Sequence, residues 1–310
     1  MKKIILLLAF MLSLQLSYGW DGDNRENGNP DLILESRHEL TGWMGGGYSS
    51  LLNKPATGDR KAGLGINAGI GYTYLFNPKW GFATGLELAT YNVKTSLLKH
   101  FDTYPAVDDE DQYNQMKLLV DINSLKETQR AYYINIPLML QYQGHGNPGN
   151  KFYAALGAKI GIPVRCNYRT TGDFLTKGKY AFTGSIFEDM PEHGFGRYDD
   201  LKADGKLKLK LNFQLSAEAG YKWKLGDDWY LYSGLYCEYG LNDIRKTRNS
   251  PSHVLEYNRN NPVKYTVNSI AESHYTNEKG TNSDYMKKMN FLSFGIKLKV
   301  AFKMGRHVRP

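Results

Sequence analysis

Charged side chains recur at every second position within several otherwise apolar segments of this 310-residue chain. Lys297 and Lys299 flank Leu298, for example, and Glu218 interrupts an apolar run in the same way. Period-two spacing places such residues on one face of a strand. That face could form a structural ion-pair network or line a pathway for ions, and we predict the network because buried charges must pair. Its predicted members are Glu87, Lys159, Arg165, Glu218, Glu238, Lys297 and Lys299.

The sequence contains no clear set of catalytic side chains. A lipid-directed hydrolase needs a serine, a histidine and an acid close together. Five histidines fall in predicted loops or turns, namely His100, His145, His193, His253 and His274. Ser252 and His253 are adjacent, but neighbours on an extended chain point to opposite faces. We therefore expect no catalytic residues and no enzyme, with a lipid-directed enzyme as the least favoured alternative.

Metal and cofactor sites have equally little support. The acidic run at residues 108–111 lacks the spaced ligands of a calcium loop. Cys166 and Cys237 fall on lipid-facing positions of predicted strands that are not neighbours, so we predict neither a disulfide nor a metal site. The glycines at residues 63–71 neither follow a strand nor open a helix, which excludes a phosphate-binding loop. We expect no metal and no cofactor.

Long strands are the elements that would position these residues. Between Leu207 and Leu225 every odd-numbered residue is apolar, and the residues between them are polar or glycine. A strand in a soluble protein averages about five or six residues, whereas a tilted membrane-crossing strand needs about nine to eleven. Seven further segments alternate, at about residues 40–48, 64–76, 80–93, 132–142, 152–164, 229–241 and 292–304. The predicted fold class is all-β: a transmembrane antiparallel up-and-down β-barrel of eight strands, whose interior is filled by side chains.

The connections between these strands alternate in length. Tight turns are predicted at residues 77–79, 144–150 and 226–228. Long links are predicted at residues 52–61, 99–127, 171–205 and 245–286. Short periplasmic turns alternating with long extracellular loops are typical of outer-membrane barrels. An even number of strands then places both termini of the barrel in the periplasm.

Aromatic residues cluster beside the tight turns. Amphipathic rings at one level of a barrel form a girdle at the membrane–water interface. The predicted girdle consists of Tyr72, Tyr74, Trp80, Phe82, Tyr142, Phe152, Tyr221, Trp223 and Trp229. A soluble sheet would have no reason to concentrate rings at this level, so the pattern favours a membrane barrel.

Some segments conflict with regular strands. Pro137 and Pro163 lie inside predicted strands, and a closed barrel has no free edge to absorb a missing N–H. We expect a bulge or an interrupted ladder at each. Residues 179–187 and 262–270 are strand-like but lie within long loops, and we predict hairpin extensions above the membrane rather than additional spanning strands.

The N-terminus has the form of a secretory signal peptide. Lys2 and Lys3 precede an apolar run at residues 4–16, and the small residues Ser17 and Gly19 favour cleavage before Trp20. The predicted organisation is a signal peptide at 1–19, a flexible periplasmic segment at 20–37, the barrel at 38–304 and a tail at 305–310. The predicted location is the bacterial outer membrane.

The segment at residues 133–142, YINIPLMLQY, resembles the I-P-L-x-L-x-Y strand of Bacteroidetes outer-membrane barrels called PorT-like. The segment YGLNDI at residues 239–244 is similar to the Y-G-L-x-N-I of that family, and Gly45–Ser49 fits its opening strand. The resemblance covers roughly residues 38–304 and implies an OmpA/OmpX-type barrel. Some family members are implicated in type IX secretion and many have no assigned role, so the resemblance implies an architecture and no reaction.

The net charge of +8 could suggest a nucleic-acid partner. Because many of the cations fall on predicted lumen-facing positions, we expect interior pairing and no nucleic acid. The predicted partners are outer-membrane lipid and, through long loops or the periplasmic face, other envelope or secretion proteins. An interaction or secretion-accessory role is the leading hypothesis, and a narrow pore is the alternative.

Overall fold

The alternating segments form long antiparallel strands in the computed structural model, which describes residues 37–107, 115–144, 150–246 and 252–304. The predicted signal peptide, nearly all of the predicted N-terminal segment and the C-terminal tail lie outside these residues, as do the acidic run at 108–111 and His145. None of the helices in these ranges is long and apolar enough to cross a membrane.

Fourteen strands are present in the described chain. In order they are β1 (His38–Pro55), β2 (Asp59–Leu75), β3 (Trp80–Val107), β4 (Gln115–Gln143), β5 (Asn150–Tyr180), β6 (Ile186–Phe187), β7 (Gly196–Lys206), β8 (Asn212–Lys224), β9 (Trp229–Gly240), β10 (Leu255–Glu256), β11 (Thr266–Val267), β12 (His274–Thr276), β13 (Asn282–Asp284) and β14 (Met286–Met304). A 3-10 turn occupies Pro191–His193.

Eight of these strands close into a ring. The order is β1-β2-β3-β4-β5-β8-β9-β14, and β14 pairs with β1 in register from His38–Met304 to Pro55–Met286, with one irregularity. All of these pairs are antiparallel. Closure leaves none of the eight with a free edge at the level of the ring. The predicted eight-stranded barrel is therefore confirmed.

Three strands extend far beyond the length that a bilayer requires. β3, β4 and β5 contain 28, 29 and 31 residues. The prediction of loops at 99–127 and 171–205 was therefore largely wrong. Alternation continues through these segments, but the β4–β5 register shifts between Ile122 and Ser124. The buried residues of β4 are even-numbered before this bulge, as at Val120 and Ile122, and odd-numbered after it, as at Leu125 and Glu127. This change of phase hides the alternation in the sequence.

The N-terminal part of β5 pairs with one strand and its C-terminal extension with another. β8 pairs with β5 from Asn150 to Gly161, and β7 pairs with it from Asn167 to Thr176. Residues 179–187 form a hairpin in which β6 pairs with Gly178 and Lys179. Of residues 262–270, only β11 is a strand, and it pairs with β10. Neither segment adds a strand to the ring.

The segment between β9 and β14 fills the end of the barrel opposite the tight turns. Residues 252–285, which we call the plug segment, contribute Val254, Leu255, Val267 and Ile270 to a buried apolar cluster. The same cluster contains inward side chains of the extended strands, including Val93, Leu97, Leu118, Val120 and Phe174. The predicted long loop is thus a packed element, since it buries its apolar residues against the strand extensions.

A bulge directly after Pro163 reverses the faces of the rest of β5. Tyr133 pairs with Pro163 and Tyr132 with Arg165, so Val164 has no partner on β4. One extra residue moves every following side chain to the other face. Arg165 is consequently exposed, and Cys166 is buried. The predictions of a lumenal Arg165 and a lipid-facing Cys166 were both wrong, whereas Cys237 is exposed and both cysteines are free.

The interrupted ladder expected at Pro137 is present, whereas the predicted start of β8 was wrong. The β3–β4 ladder lacks pairs between Thr84–Leu138 and Glu87–Asn135, next to Pro137, without a change of register. β8 begins only at Asn212, so the predicted strand from Leu207 was too long. Leu207 is buried in the apolar cluster, while Lys208 and Lys210 are exposed rather than lumenal.

The bulge predicts a difference in cysteine reactivity. In the barrel folded in detergent micelles, a lipophilic maleimide should modify Cys237 readily, because this residue lies on the outer face. Modification of Cys166 requires local opening and should be slow until denaturation. Mass spectrometry of Cys166→Ser and Cys237→Ser variants separates the two sites. Equal rates for both cysteines in the folded protein would contradict the assigned register.

Candidate functional site

The lumen contains a compact set of charged residues at mid-barrel. Inward positions of β3, β5, β8, β9 and β14 supply them, because inward residues alternate with lipid-facing ones. Six of the seven predicted members come together here, namely Glu87, Lys159, Glu218, Glu238, Lys297 and Lys299. Arg165 does not join them, since the bulge turns it outward.

Lys159 is the central cation of this network. Its Nζ donates to both carboxylate oxygens of Glu87, at 2.8 and 2.9 Å, and to Glu238 Oε1 at 2.5 Å. The side chains of Lys159, Glu87 and Glu238 are each 2% exposed or less. Glu87 also accepts hydrogen bonds from Asn135 Nδ2 at 3.1 Å and from Trp43 Nε1 at 2.9 Å. The buried carboxylate is therefore surrounded by donors, which burial of a charge requires.

The second half of the network joins β8 to β14. Lys297 Nζ donates to Glu218 Oε1 and lies 3.6 Å from Glu87 Oε2, which links the two halves. Lys299 Nζ lies 3.4 Å from Glu218 Oε2. The three lysines and the three glutamates make the network formally neutral. The network thus contributes nothing to the net charge of the chain.

Glycines opposite Trp43 make room for its ring. A Cβ on Gly69, Gly71 or Gly85 would lie within 2.5, 2.8 or 3.0 Å of the indole. These three positions face the lumen beside Glu87, which accepts the indole N–H. Gly69 and Gly71, which belong to the segment considered for a phosphate-binding loop, therefore make room for Trp43.

The space left between these side chains is small. A cavity of about 20 Å³ is bordered by Trp43, Glu87, Lys159, Glu218 and Lys297, among others. A water molecule needs at least about 10–15 Å³ of such volume, so the cavity holds roughly one. Side chains fill the lumen at this level, as expected for eight strands.

A second buried ion pair lies towards the tight-turn end. Lys222 Nζ is 2.6 Å from Glu39 Oε1 and 3.2 Å from Gln143 Oε1. Tyr232 donates its hydroxyl to Glu39 Oε2 at 2.7 Å. Sequence reasoning missed this site because Glu39 precedes the predicted first strand. The signal was present at Lys222, which shares the inward face with Glu218.

Glu127 attaches the plug segment to the barrel wall. Its carboxylate accepts hydrogen bonds from Gln129 and Thr170 of the wall, at 2.6 and 2.9 Å. From the plug it accepts the Ser269 hydroxyl at 2.6 Å and the Ile270 N–H at 2.9 Å. Burial raises the pKa of Glu127 above its usual value, although these donors oppose the shift. No local pattern singles out Glu127, which fell in a predicted loop.

A histidine–aspartate contact also joins the plug to β3. His253 Nδ1 lies 2.8 Å from Asp102 Oδ2, and the His253 ring stacks on Tyr104 at 4.0 Å. The structure gives His253 no hydroxyl partner among the residues it describes. Within the same residues no three His, Cys, Asp or Glu side chains are grouped to hold a metal ion. His100 and His274 lie in β3 and β12 rather than in the predicted loops.

A family model described as an outer membrane protein beta-barrel domain matches residues 36–246. This range is more than half of the chain. The chain belongs to this outer-membrane β-barrel family. No curated protein matches the chain.

Several solved structures resemble this outer-membrane barrel at low identity. Neisserial surface protein A is 10% identical, with a TM-score of 0.34 over 86% of this chain and 96% of its own. OprG from Pseudomonas aeruginosa is 14% identical, with a TM-score of 0.30 over 87% and 98%. Ail of Yersinia pestis, in complex with the heparin analogue sucrose octasulfate, is 10% identical, with a TM-score of 0.29 over 86% and 99%. Values this low carry no conclusion about the present barrel.

The predicted aromatic girdle lies on the outer face of the barrel. All nine residues alternate with inward positions near the tight turns. The ring centroids of Trp80 and Tyr142 are 4.9 Å apart, and those of Phe152 and Tyr221 are 6.0 Å apart. Trp229 packs on Phe302 at 5.0 Å. In an outer-membrane barrel this position suits the interface at the tight-turn end.

Removing the central lysine should destabilise the barrel strongly. Lys159→Met leaves Glu238 buried without its cation and Glu87 with only Lys297 at 3.6 Å, and removing one partner costs about 3–5 kcal/mol in other buried pairs. Urea unfolding of the barrel in detergent or liposomes measures this loss. The double variant Lys159→Met, Glu238→Gln should recover much of it, because it leaves Glu87 and Glu218 balanced by Lys297 and Lys299. An exposed control, Lys287→Met, should change stability by less than about 0.5 kcal/mol. Equal stability of Lys159→Met and wild type would contradict the assigned network.

The Glu127 anchor should make plug attachment depend on pH. An acid whose folded pKa is raised binds its proton more tightly when folded, so its contribution falls as pH rises from about the ordinary value of 4.5 through the raised folded pKa. Amide hydrogen exchange of residues 252–285 should therefore show less protection above this range than below it. In Glu127→Gln this pH dependence should flatten. A pH response unchanged by the substitution would assign it to another group.

Proposed function

We propose that this outer-membrane barrel acts without catalysis, as an interaction or secretion-accessory protein that presents its extended strands to another envelope or secretion protein. The observation that carries the proposal is the length of β3, β4 and β5, at 28, 29 and 31 residues. A bilayer accounts for about nine to eleven residues of each. The remainder forms a rigid sheet outside the membrane, which is well suited to recognition.

The plug segment supports this role because it fills the interior of the strand extension with packed apolar side chains. Its residues Val254, Val267 and Ile270 pack with Leu97 and Phe174 in a continuous apolar core. Tyr104 donates its hydroxyl to Leu255 O at 2.7 Å, and Tyr168 donates to Val267 O at 3.3 Å. A preorganised surface loses less entropy on binding than flexible loops do.

The tip of the β5–β6 hairpin is the part of this surface best suited to contact a protein. Phe182 is 94% exposed, Ile186 54% and Phe187 39%. Aromatic and aliphatic side chains at a prominent position are typical anchors of protein interfaces. We therefore place the proposed partner contact at this tip.

The narrow pore that the sequence left open has less support. The mid-lumen cavity of about 20 Å³ is enclosed by charged side chains that already bind one another. Conduction would require those pairs to separate inside the barrel, which is costly. No observation favours a catalytic role, since His253 contacts Asp102 and stacks on Tyr104 within the described residues without a hydroxyl partner.

Finer features of the family assignment belong to the same proposal. The strand containing Ile136 and Pro137 and the segment at 239–244 favour the PorT-like branch of Bacteroidetes barrels. Lys2, Lys3 and the apolar run at 4–16 favour export by a cleaved signal peptide. The tight turns and girdle favour a periplasmic position for this end and for both termini of the barrel.

Crosslinking in outer membranes tests the proposed contact. The triple variant Phe182→Ser, Ile186→Thr, Phe187→Ser should insert normally but lose a crosslinked protein that the wild type recovers reproducibly. The matched control is Val263→Ser, which removes a 57% exposed apolar side chain from the plug segment. The secreted proteome of a deletion strain complemented with each variant gives an independent readout.

The outcomes separate clearly. A partner recovered with the wild type and the control, but not with the tip variant, supports the proposal. Recovery of the barrel without any partner, together with a normal secreted proteome in the deletion strain, would overturn the interaction role. Discrete conductance of the purified barrel in a planar bilayer would favour the pore instead.

A further inference from the structure

The outer faces of β3, β4 and β5 change character sharply at one level. Outward residues of adjacent strands form lateral rows, because paired residues lie side by side. Leu88, Ile134 and Ile162 form one such row, and all three are apolar. The next row away from the tight turns contains Tyr132, paired with Arg165. This boundary marks the end of the lipid-facing apolar band.

The rows directly above the boundary are rich in cations. One row pairs Asn92, Arg130, Asn167 and Lys206, and the next pairs Lys61, Lys94, Thr128, Arg169 and Asp204. The row beyond pairs Asp59, Ser96, Lys126, Thr171 and Lys202. All of the lysines and arginines in these rows are exposed, as is Arg165. We call them the basic belt: Lys61, Lys94, Lys126, Arg130, Arg165, Arg169, Lys202 and Lys206.

Three arginines lie at the centre of the belt. Arg130 is paired with Asn167 on β5, so it is diagonal to both Arg165 and Arg169. Diagonal neighbours on one face are about 7–8 Å apart, within reach of long side chains. Arg130 Nε donates to Asn92 Oδ1 at 3.0 Å, which orients its guanidinium. In the described chain no carboxylate lies within 4.0 Å of these arginines, so no ion pair offsets their mutual repulsion.

Carboxylates on the same rows are few. Asp204 is paired with Arg169 across β5 and β7, and Asp59 is paired with Ser96 at the edge of the belt. Asp173, farther from the membrane on β5, is held by the Ser124 hydroxyl and the Asp200 N–H. The belt therefore has a clear excess of positive charge.

We propose that the basic belt binds the phosphate groups of a glycolipid in the outer leaflet of the outer membrane. Its cations begin one row above the apolar band, which is the level of lipid headgroups. Arginine forks match phosphate oxygens with two parallel hydrogen bonds. The rows cross β2 to β5 and β7 at about 4.8 Å per strand, a width of roughly 20 Å that suits more than one phosphate.

The bulge at Val164 creates the central part of this surface. Without the extra residue, Arg165 and Arg169 would face the barrel interior, and Cys166 would face outward. Bulges next to functional surfaces often re-aim a side chain in this way. The bulge beside Pro163 therefore turns two of the three clustered arginines, Arg165 and Arg169, to the outer face. The inference needs the extended end of the barrel to be extracellular, but it does not require the proposed protein partner.

Lipid binding to the purified full-length barrel tests the inference. Native mass spectrometry in a nonionic detergent should detect adducts with diphosphoryl lipid A. Arg130→Gln with Arg165→Gln should weaken this binding by at least about tenfold, as expected for the loss of two charge-assisted contacts. The control Lys287→Gln with Lys288→Gln removes two exposed cations of β14 and should retain wild-type binding within about twofold. Lipid A without its phosphates should bind weakly to every variant.

Folding is checked separately by the change in gel mobility on heating, which should be the same for both double variants. Wild-type affinity in the folded arginine variant would overturn the inference, as would an equal loss in the β14 control. Equal binding of dephosphorylated lipid A would show that acyl chains, not phosphates, are recognised. Displacement of lipid A by millimolar inorganic phosphate would overturn the inference, because it would show that the belt binds a free anion rather than a lipid. A preference for a soluble sulfated polysaccharide over lipid A that depends on the same arginines would also overturn the inference, because the ligand would then be a polyanion.

Discussion

Pairing of buried charges is the constraint on which this barrel depends. Eight strands close around an interior too narrow to admit bulk water, yet six charged side chains from five strands lie there. Leaving one of these charges buried without its partner would cost about 3–5 kcal/mol, a large part of the stability of a typical domain. Every strand that carries one of these residues must therefore keep its register. Trp43 and its facing glycines belong to the same constraint, because the indole both fills space and donates to Glu87.

Above this polar layer the same ring of strands becomes an ordinary hydrophobic protein. The plug segment covers inward apolar side chains that would otherwise face a water-filled vestibule. The Glu127 carboxylate connects the barrel wall to the plug segment, because it accepts hydrogen bonds from both. Ion pairs thus occupy the interior at mid-barrel, while apolar side chains fill the interior of the extension. The outer surface has a matching division, from the apolar band to the basic belt.

The period-two pattern was enough to predict the ring, the outward set and six of the seven network residues, because it is a local property of each strand. Errors arose where the phase of that pattern changes. Arg165 and Cys166 follow the Val164 bulge, and the extension of β4 contains a bulge after Ile122. The plug was missed for another reason, since its contacts join residues more than a hundred positions apart, such as Tyr104 and Leu255. No local pattern reports such a contact.

The distribution of the network among strands has a consequence for assembly. The network joins Glu87 on β3 to Lys297 on β14, and the second buried ion pair joins Glu39 on β1 to Lys222 on β8. β14 also forms the seam with β1, the most distant strand in the chain. An open sheet that entered the bilayer before this seam formed would carry Glu39 apart from Lys222, and Glu87 apart from Lys297. Zipping of the seam and passage into the lipid should therefore occur as one concerted event, guided by machinery that shelters the incomplete sheet.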